Sequence, residues 1–110
     1  MATIAAQTIS RTGLEAVYSA AASGGDNFVN TGKEFLHVKN GSAGDITVTI
    51  VTSATVDGLA VSDRAVVVTA NEERFIGPFP TPYYNNASSQ VALTYSGVTT
   101  LTLAVLNPGA

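Results

Sequence analysis

The sequence contains no cysteine and no tryptophan, and only 12% of its residues are charged. Average soluble domains carry about 25% charged residues. Without cysteine, disulfide bonds and thiolate metal sites are excluded, so packing and backbone pairing must stabilise the fold. Thr, Ser, Asn and Gly dominate the polar remainder, and a surface with so few charges favours extensive contact with other protein.

Positive charge is also scarce. The five Lys and Arg residues are scattered along the chain, and the net charge is −3. Nucleic-acid binding requires clustered Lys and Arg, so we expect no nucleic-acid partner. No apolar run approaches the ~20 residues that a transmembrane helix needs, so we expect no membrane partner. The N-terminus lacks a basic segment followed by an apolar one, and we expect synthesis in the cytoplasm without export.

Reactive groups are few as well. The single histidine, His37, lies in a predicted strand, and no G-x-S-x-G motif supplies a nucleophile. We expect His37 to be a surface or interface residue without catalytic partners. Glu72 and Glu73 are adjacent, so in a strand their side chains face opposite ways. The sequence therefore predicts no catalytic residue, no metal site, no cofactor and no enzymatic activity.

Residues 34–52 carry the clearest structural pattern. Apolar and polar residues alternate in residues 46–50, and this period of two is typical of a strand with one buried face. Residues 35–39 predict another strand, and the polar turn at 40–45 contains residues that let the chain reverse. The two strands are therefore predicted to form the central pair of the fold.

Further strands follow at intervals of roughly 8–12 residues, the spacing of a β-sandwich or jelly roll. Residues 65–69 predict a strand with residues 73–77 as its partner, and residues 90–96 and 99–106 predict two more. A turn at Asp57-Gly58 falls within a loop or short strand. The predicted core residues are Leu36, Val38, Ile46, Val48, Ile50, Leu93, Leu101 and Leu103.

The chain of 110 residues is long enough for one domain. We predict an all-β fold, a single β-sandwich or jelly-roll-like domain of about seven to eight antiparallel strands. It spans residues 13–110 and follows an N-terminal arm or edge strand at residues 1–12. Residues 13–22 fit either a capped, alanine-rich helix or a strand, and the all-β context favours the strand.

Aromatic residues beside prolines and asparagines mark the segment 79–86. Such a loop suits three roles: packing over the open end of the sandwich, contact with another protein, or a platform for a sugar. The sequence alone leaves these alternatives open.

Three segments carry a resemblance to a known family. They are NTGKEFLHVKNGS (30–42), ITVTIVT (46–52) and VVVTANEERFIGPFP (66–80). Together they resemble small proteins that decorate the heads of tailed bacteriophages. The resemblance implies a β-sandwich, often trimeric, that lies on the outer capsid and cements neighbouring capsomers. It implies no catalytic residues.

The function that follows is structural: a capsid decoration protein of the virion that bridges capsomers, with the major capsid protein as partner and a homotrimer as the assembly. The alternatives are a carbohydrate-binding module and a tail or baseplate component. The arm at residues 1–11 and the aromatic loop are the predicted contact surfaces. Their candidate contact residues are Thr3, Ile4, Arg11, Phe79, Tyr83, Tyr84, Asn85 and Asn86.

Overall fold

A computed structural model describes residues 2–52 and 54–108 of the chain. These residues form an all-β sandwich with two five-stranded sheets, which confirms the predicted fold class. Met1, at the start of the predicted arm, and residues 109–110, at the end of the predicted domain, lie outside the described residues.

The described residues contain short and long strands and a short helix. The helix, α1, spans Thr81–Tyr84. The strands are β1 (Ala2–Thr3), β2 (Ala6–Thr8), β3 (Ser19–Ala20), β4 (Asp26–Val29), β5 (Phe35–Asn40), β6 (Ile46–Ile50), β7 (Thr55–Val56), β8 (Leu59–Ala60), β9 (Arg64–Val68), β10 (Glu73–Ile76), β11 (Gln90–Tyr95) and β12 (Leu101–Asn107).

The first sheet has the strand order β1-β4-β11-β6-β9. The second has the order β10-β5-β12-β2, and β3 also pairs with β12. The strands of four or more residues pair antiparallel with one another, as predicted. By contrast, β1 and β2 pair parallel with β4 and β12. Residues 2–8 therefore lie along both sheets, as an edge strand would, rather than apart from them.

The core includes the alternating side chains that the sequence pattern assigned to it, together with buried residues that the prediction did not name. Phe28 and Phe79 are the largest buried side chains and add aromatic contacts. Full burial of a Val, Leu, Ile or Phe side chain contributes about 1.5–3 kcal/mol to folding. The predicted core residues, all of them buried, are Leu36, Val38, Ile46, Val48, Ile50, Leu93, Leu101 and Leu103.

The turn at residues 41–45 crosses from one sheet to the other. β5 pairs with β10 and β12 in the second sheet, whereas β6 pairs with β9 and β11 in the first. The prediction that these two strands form a pair is therefore wrong. Asn40, which is buried, holds the crossing: Nδ2 donates to Gly44 O and Val68 O, both at 2.9 Å, and Oδ1 accepts from Ser42 N at 3.0 Å.

The turn between β9 and β10 makes a second crossing of the same kind. Asn71, between the two predicted strands, adopts a positive φ of 58°, a conformation that asparagine tolerates in turns. However, β10 pairs with β5 and not with β9, so the predicted partnership of these strands is also wrong. β9 and β10 are therefore edge strands of their sheets. Both edges lie on the same side of the sandwich.

Residues 13–22 form neither of the predicted elements over most of their length. No helix is present there, and the strand interpretation holds only for β3, which pairs with β12. The Gln7 side chain fixes the preceding segment through its amide. Gln7 Nε2 donates to Val17 O at 2.7 Å, and Gln7 Oε1 accepts from Val17 N at 2.9 Å. These bonds replace the pairing that a longer strand would make.

Glu34 is a buried carboxylate that ties the β4–β5 turn to the end of β12. Its oxygens accept from Thr31 N at 2.6 Å, from Thr31 Oγ1 at 2.9 Å and from Asn107 Nδ2 at 2.7 Å. Burial raises the pKa of Glu34, but these hydrogen bonds outweigh it and hold the pKa below the ordinary value of 4.5.

We expect Glu34→Gln to lower the free energy of unfolding at neutral pH by about 1.5–3 kcal/mol, because the bonds it weakens have a charged acceptor. The wild-type carboxyl binds a proton more weakly when folded. Its contribution is therefore complete above the ordinary pKa and is lost as the pH falls through the folded value. Urea unfolding from neutral to acidic pH should show the difference between the two proteins shrinking in acid. A difference that stays constant would contradict this role.

Candidate interaction surface

β7 and β8 form a hairpin around Asp57 and Gly58. Both turn residues have positive φ, 54° and 77°, as a two-residue turn of the type I′ class requires. Thr55 pairs with Ala60 and Val56 pairs with Leu59. Within the described residues the hairpin belongs to neither of the two main sheets.

One face of this hairpin is apolar and exposed. Val56 and Leu59 are a cross-strand pair, so their side chains lie on the same face. Val61 N donates to Ala54 O at 3.3 Å, which continues the pairing of the two strands, so Val61, two residues beyond Leu59, shares that face. Val56 is 67% exposed, Leu59 is 71% exposed, and Val61 is also exposed. We call these three residues the hairpin face.

The hairpin face was absent from the contact residues predicted from sequence. Its signal is nevertheless present, because Val56, Leu59 and Val61 flank the Asp57-Gly58 turn at strand-like spacing. What the sequence did not show is that this strand pair stands outside the main sheets, so that its apolar face remains uncovered.

The base of the hairpin is held in place by hydrogen bonds. Ala54 N donates to Tyr83 O at 3.3 Å, and Thr52 Oγ1 donates to Val61 O at 2.6 Å. Thr52 N also donates to Asp63 Oδ1 at 3.0 Å. The hairpin is therefore connected to α1 on one side and to the start of β9 on the other.

A groove of about 770 Å³ lies next to the hairpin, between the approach to β9 and the segment that contains α1. Asp63 and Arg64 line one wall, and Pro78, Tyr83 and Tyr84 line the other. Arg64 Nε donates to the Tyr84 hydroxyl at 3.2 Å, which connects the two walls. We call this feature the aromatic groove.

The predicted contact residues of the aromatic loop have different environments. Phe79 is only 2% exposed and packs against Phe28 and Tyr84, so its side chain belongs to the core and is not available for contact. Tyr84 is half-buried and packs against the same core. Tyr83, in contrast, is 57% exposed.

The two asparagines of the loop support the fold locally. Asn85 Oδ1 accepts from Asn30 Nδ2 at 2.7 Å, and Asn85 Nδ2 donates to Asn30 O at 2.9 Å. Asn86 Oδ1 accepts from Ser88 N at 2.8 Å and from Gln90 N at 3.2 Å. Of the predicted loop residues, Tyr83 and Asn86 are the exposed ones.

The predicted N-terminal contact residues lie apart from this loop. Thr3 and Arg11 are exposed, whereas Ile4 is buried and belongs to the core, so its side chain is not available to a partner. Thr3 Oγ1 donates to Asn27 Oδ1 at 2.7 Å at the β1 edge of the first sheet. β9, which leads away from the aromatic groove, forms the opposite edge of that sheet. The structure thus does not unite the two predicted sets into one surface.

His37 differs from its predicted environment. It is buried on the outer face of the second sheet, with Nε2 2.8 Å from Glu73 Oε1 and Nδ1 2.5 Å from the Tyr18 hydroxyl. The Phe75 ring stacks on the imidazole at 4.1 Å, and Lys39 Nζ lies 4.0 Å from the centre of the Tyr18 ring. His37 is therefore buried and hydrogen-bonded, so the expectation of an exposed surface position is wrong.

These contacts form a chain of hydrogen bonds that runs from the Glu73 carboxylate through the His37 imidazole to the Tyr18 phenol. If Glu73 accepts the Nε2 proton, Nδ1 is the acceptor for the Tyr18 hydroxyl proton. Neither His37 nor Tyr18 lines the aromatic groove. The contacts join the segment before β3 to β10 across the outer face of β5, which is a packing role.

Besides Glu34, two titratable groups have shifted pKa values, Tyr95 and Glu72. Burial, together with the hydrogen bond to Asp26 Oδ2 at 2.7 Å, raises the pKa of the Tyr95 hydroxyl well above its ordinary value. Asp26, in β4, is itself buried, and its Oδ2 also accepts from Ala22 N at 3.2 Å. At the β9–β10 turn, hydrogen bonds from the Thr69 hydroxyl and Arg74 lower the pKa of Glu72. These pairs stabilise local structure and do not converge on a cavity.

Among the described residues, no three His, Cys, Asp or Glu side chains are grouped as a metal site would require. The helix that the structure describes is too short to cross a membrane. No family model matches the chain, and neither does any of the curated proteins or solved structures with which it was compared.

Proposed function

We propose that the protein is a structural component of a tailed-bacteriophage particle that binds the outer surface of the capsid. In this role it acts without catalysis and bridges neighbouring capsomers through contacts with the major capsid protein. The proposal draws on the family resemblance of residues 30–42, 46–52 and 66–80. The single observation that carries it is the hairpin face.

An isolated two-stranded hairpin is marginally stable in water, and an exposed apolar face gives it no local benefit. Exposed apolar patches commonly mark sites of protein contact. Here the patch projects from a base fixed by Thr52 and Ala54, so a partner can bind it with little ordering of the chain. We assign the hairpin face to the contact with the major capsid protein.

The edge strands β9 and β10 support oligomer formation. In the described residues, β9 and β10 each pair with a neighbour on one side only. Exposed strand edges are usually covered, and symmetric association is a common way to cover them. We propose a homotrimer, because an icosahedral shell offers threefold positions where three weak contacts add to a strong attachment.

Substitution of the hairpin face tests the capsid contact. We expect Val56→Ser combined with Leu59→Ser to weaken binding to purified capsids at least about tenfold, a loss of roughly 1.4 kcal/mol. Val29→Ser is a matched control, because Val29 is an exposed valine on β4, outside the hairpin. It should bind like the wild type. Equal capsid binding by the hairpin variant and the control would contradict the assignment.

The oligomeric state is measured separately from capsid binding. Light scattering on the isolated protein should give three times the mass of the chain. A monomer at micromolar concentration would contradict a preassembled trimer while leaving the capsid contact to the hairpin test.

A further inference from the structure

The aromatic groove has the dimensions and chemistry of a ligand site; it borders the hairpin face at Val61, and neither Val56 nor Leu59 lines it. Its volume of about 770 Å³ falls in the range of roughly 300–1,000 Å³ that ligand pockets occupy. Tyr83 presents an exposed ring to it, and Tyr84 and Pro78 extend the apolar wall. This wall is suited to the flat, apolar face of a small ring.

Polar groups with unused bonding capacity line the opposite wall. Arg64 uses Nε for the Tyr84 hydroxyl, and its two Nη groups have no protein partner among the described residues. Asp63 accepts from Thr52 through Oδ1, and Oδ2 has no protein donor in the same part of the chain. The groove thus offers hydrogen-bond donors and an acceptor on consecutive residues.

These groups select the charge of the ligand. Asp63 and Arg64 carry opposite charges, so the wall they form is close to neutral. A purely apolar ligand would desolvate both groups without compensation. An anionic ligand would be repelled by the Asp63 carboxylate, and a cationic ligand by the Arg64 guanidinium. A neutral polyol satisfies both, because one hydroxyl donates to the carboxylate while a neighbouring oxygen accepts from the guanidinium.

The backbone that carries the exposed Tyr83 ring is fixed before any ligand binds. Tyr83 N donates to Pro80 O at 3.2 Å, and Tyr83 O accepts from Ala54 N at 3.3 Å. Tyr84 packs edge-on against the buried Phe79 ring, with ring centres 5.4 Å apart. A platform fixed by the fold loses little entropy when a ligand binds.

We propose that the aromatic groove binds a neutral hexopyranose unit of a glycan, with Tyr83 stacked on the apolar face of the sugar ring and Asp63 and Arg64 bound to its hydroxyl groups. This site does not depend on attachment to a capsid. A decoration protein with such a groove carries a glycan-binding site in addition to its structural role.

Saturation-transfer NMR on the isolated full chain tests the site directly. The neutral probes are maltohexaose, cellohexaose and chitohexaose, and the acidic probes are sialyllactose and oligogalacturonate. We expect at least one neutral probe to receive saturation at millimolar concentration, with the ring C–H protons the most strongly affected. Failure of every neutral probe, or a response to acidic probes alone, would overturn the proposal.

Variants separate the groove from adventitious sugar contact. Tyr83→Ala should weaken binding of the responding probe at least about tenfold, whereas Tyr83→Phe should retain most of it because the stacking face remains. Asp63→Asn should weaken it as well. Phe75→Ala removes an exposed aromatic ring from the second sheet, outside the groove, and should leave affinity unchanged. Equal affinity in Tyr83→Ala and Phe75→Ala would refute the site.

The proposed capsid function and the proposed glycan site can be rejected independently of each other. Loss of sugar binding in Tyr83→Ala with capsid binding intact supports two independent surfaces. Loss of capsid binding in the hairpin variant with sugar binding intact supports the same division. If Tyr83→Ala leaves sugar binding unchanged, the glycan site is rejected whatever the capsid result.

Discussion

Replacing Phe79 with alanine is expected to lower the free energy of unfolding by about 3–5 kcal/mol, the usual cost of removing a buried phenylalanine ring. The ring is enclosed, with centres 5.8 Å from Phe28 and 5.4 Å from Tyr84. Its backbone oxygen accepts from the buried Asn30 Nδ2 at 2.8 Å, so the surrounding segment is fixed and collapses poorly into a cavity. Denaturant unfolding of both proteins gives the difference.

Tyr83→Ala is the matched control for this prediction. Tyr83 lies four residues along the same segment but has an exposed ring. Its removal should change the free energy of unfolding by no more than about 0.5 kcal/mol, as is usual for surface sites. Similar losses in the two variants would contradict the division of this loop into one core ring and one surface ring.

Ile50→Ala should cost about 2–5 kcal/mol, because the side chain is fully buried at the end of β6. Ile50 pairs with Leu93 on one side and Arg64 on the other, so the strand is held from both directions and the cavity persists. The same unfolding experiment measures the effect. A loss under roughly 0.5 kcal/mol, typical of surface sites, would reject its place in the core.

Thr49→Ala provides the comparison for Ile50 within the same strand. Thr49 is on the opposite face of β6 and is half-buried. Its replacement removes strand propensity and a small contact, with an expected cost of about 1 kcal/mol or less. If both variants lost the same stability, the alternation of faces in β6 would be wrong.

The sequence pattern predicted the faces of the strands but not their neighbours. A period of two decides which side chains of β5 and β6 turn inward, and those positions are buried. It does not distinguish a hairpin from a crossing between sheets, because both arrangements bury the same residues. The choice depends on Asn40, whose amide donates to Val68 O, 28 residues away, a contact that no local pattern encodes.

The candidate site was only partly predictable for the same reason. The aromatic loop has no strand or helix period, so its sequence could not show that Phe79 turns inward while Tyr83 faces solvent. The partners of His37 were equally invisible, since Tyr18 and Glu73 lie 19 and 36 residues away in the chain. Contacts at such separations are set by the packing of whole strands.

The turn at Asp57-Gly58 was predicted correctly, yet its consequence was missed. The local sequence specifies a tight reversal between Val56 and Leu59. Whether the resulting hairpin joins a sheet depends on the other strands that compete for the same edge. In this fold β9 occupies the place beside β6, and the hairpin face remains exposed.

A cryo-EM map of the intact phage particle that carries this protein tests the central proposal most directly. We expect density for the sandwich on the outer capsid surface, at threefold or quasi-threefold positions, with the hairpin face against the major capsid protein. Three copies should meet at each position. Density for the protein in the tail or baseplate, and none on the head, would contradict the proposed function.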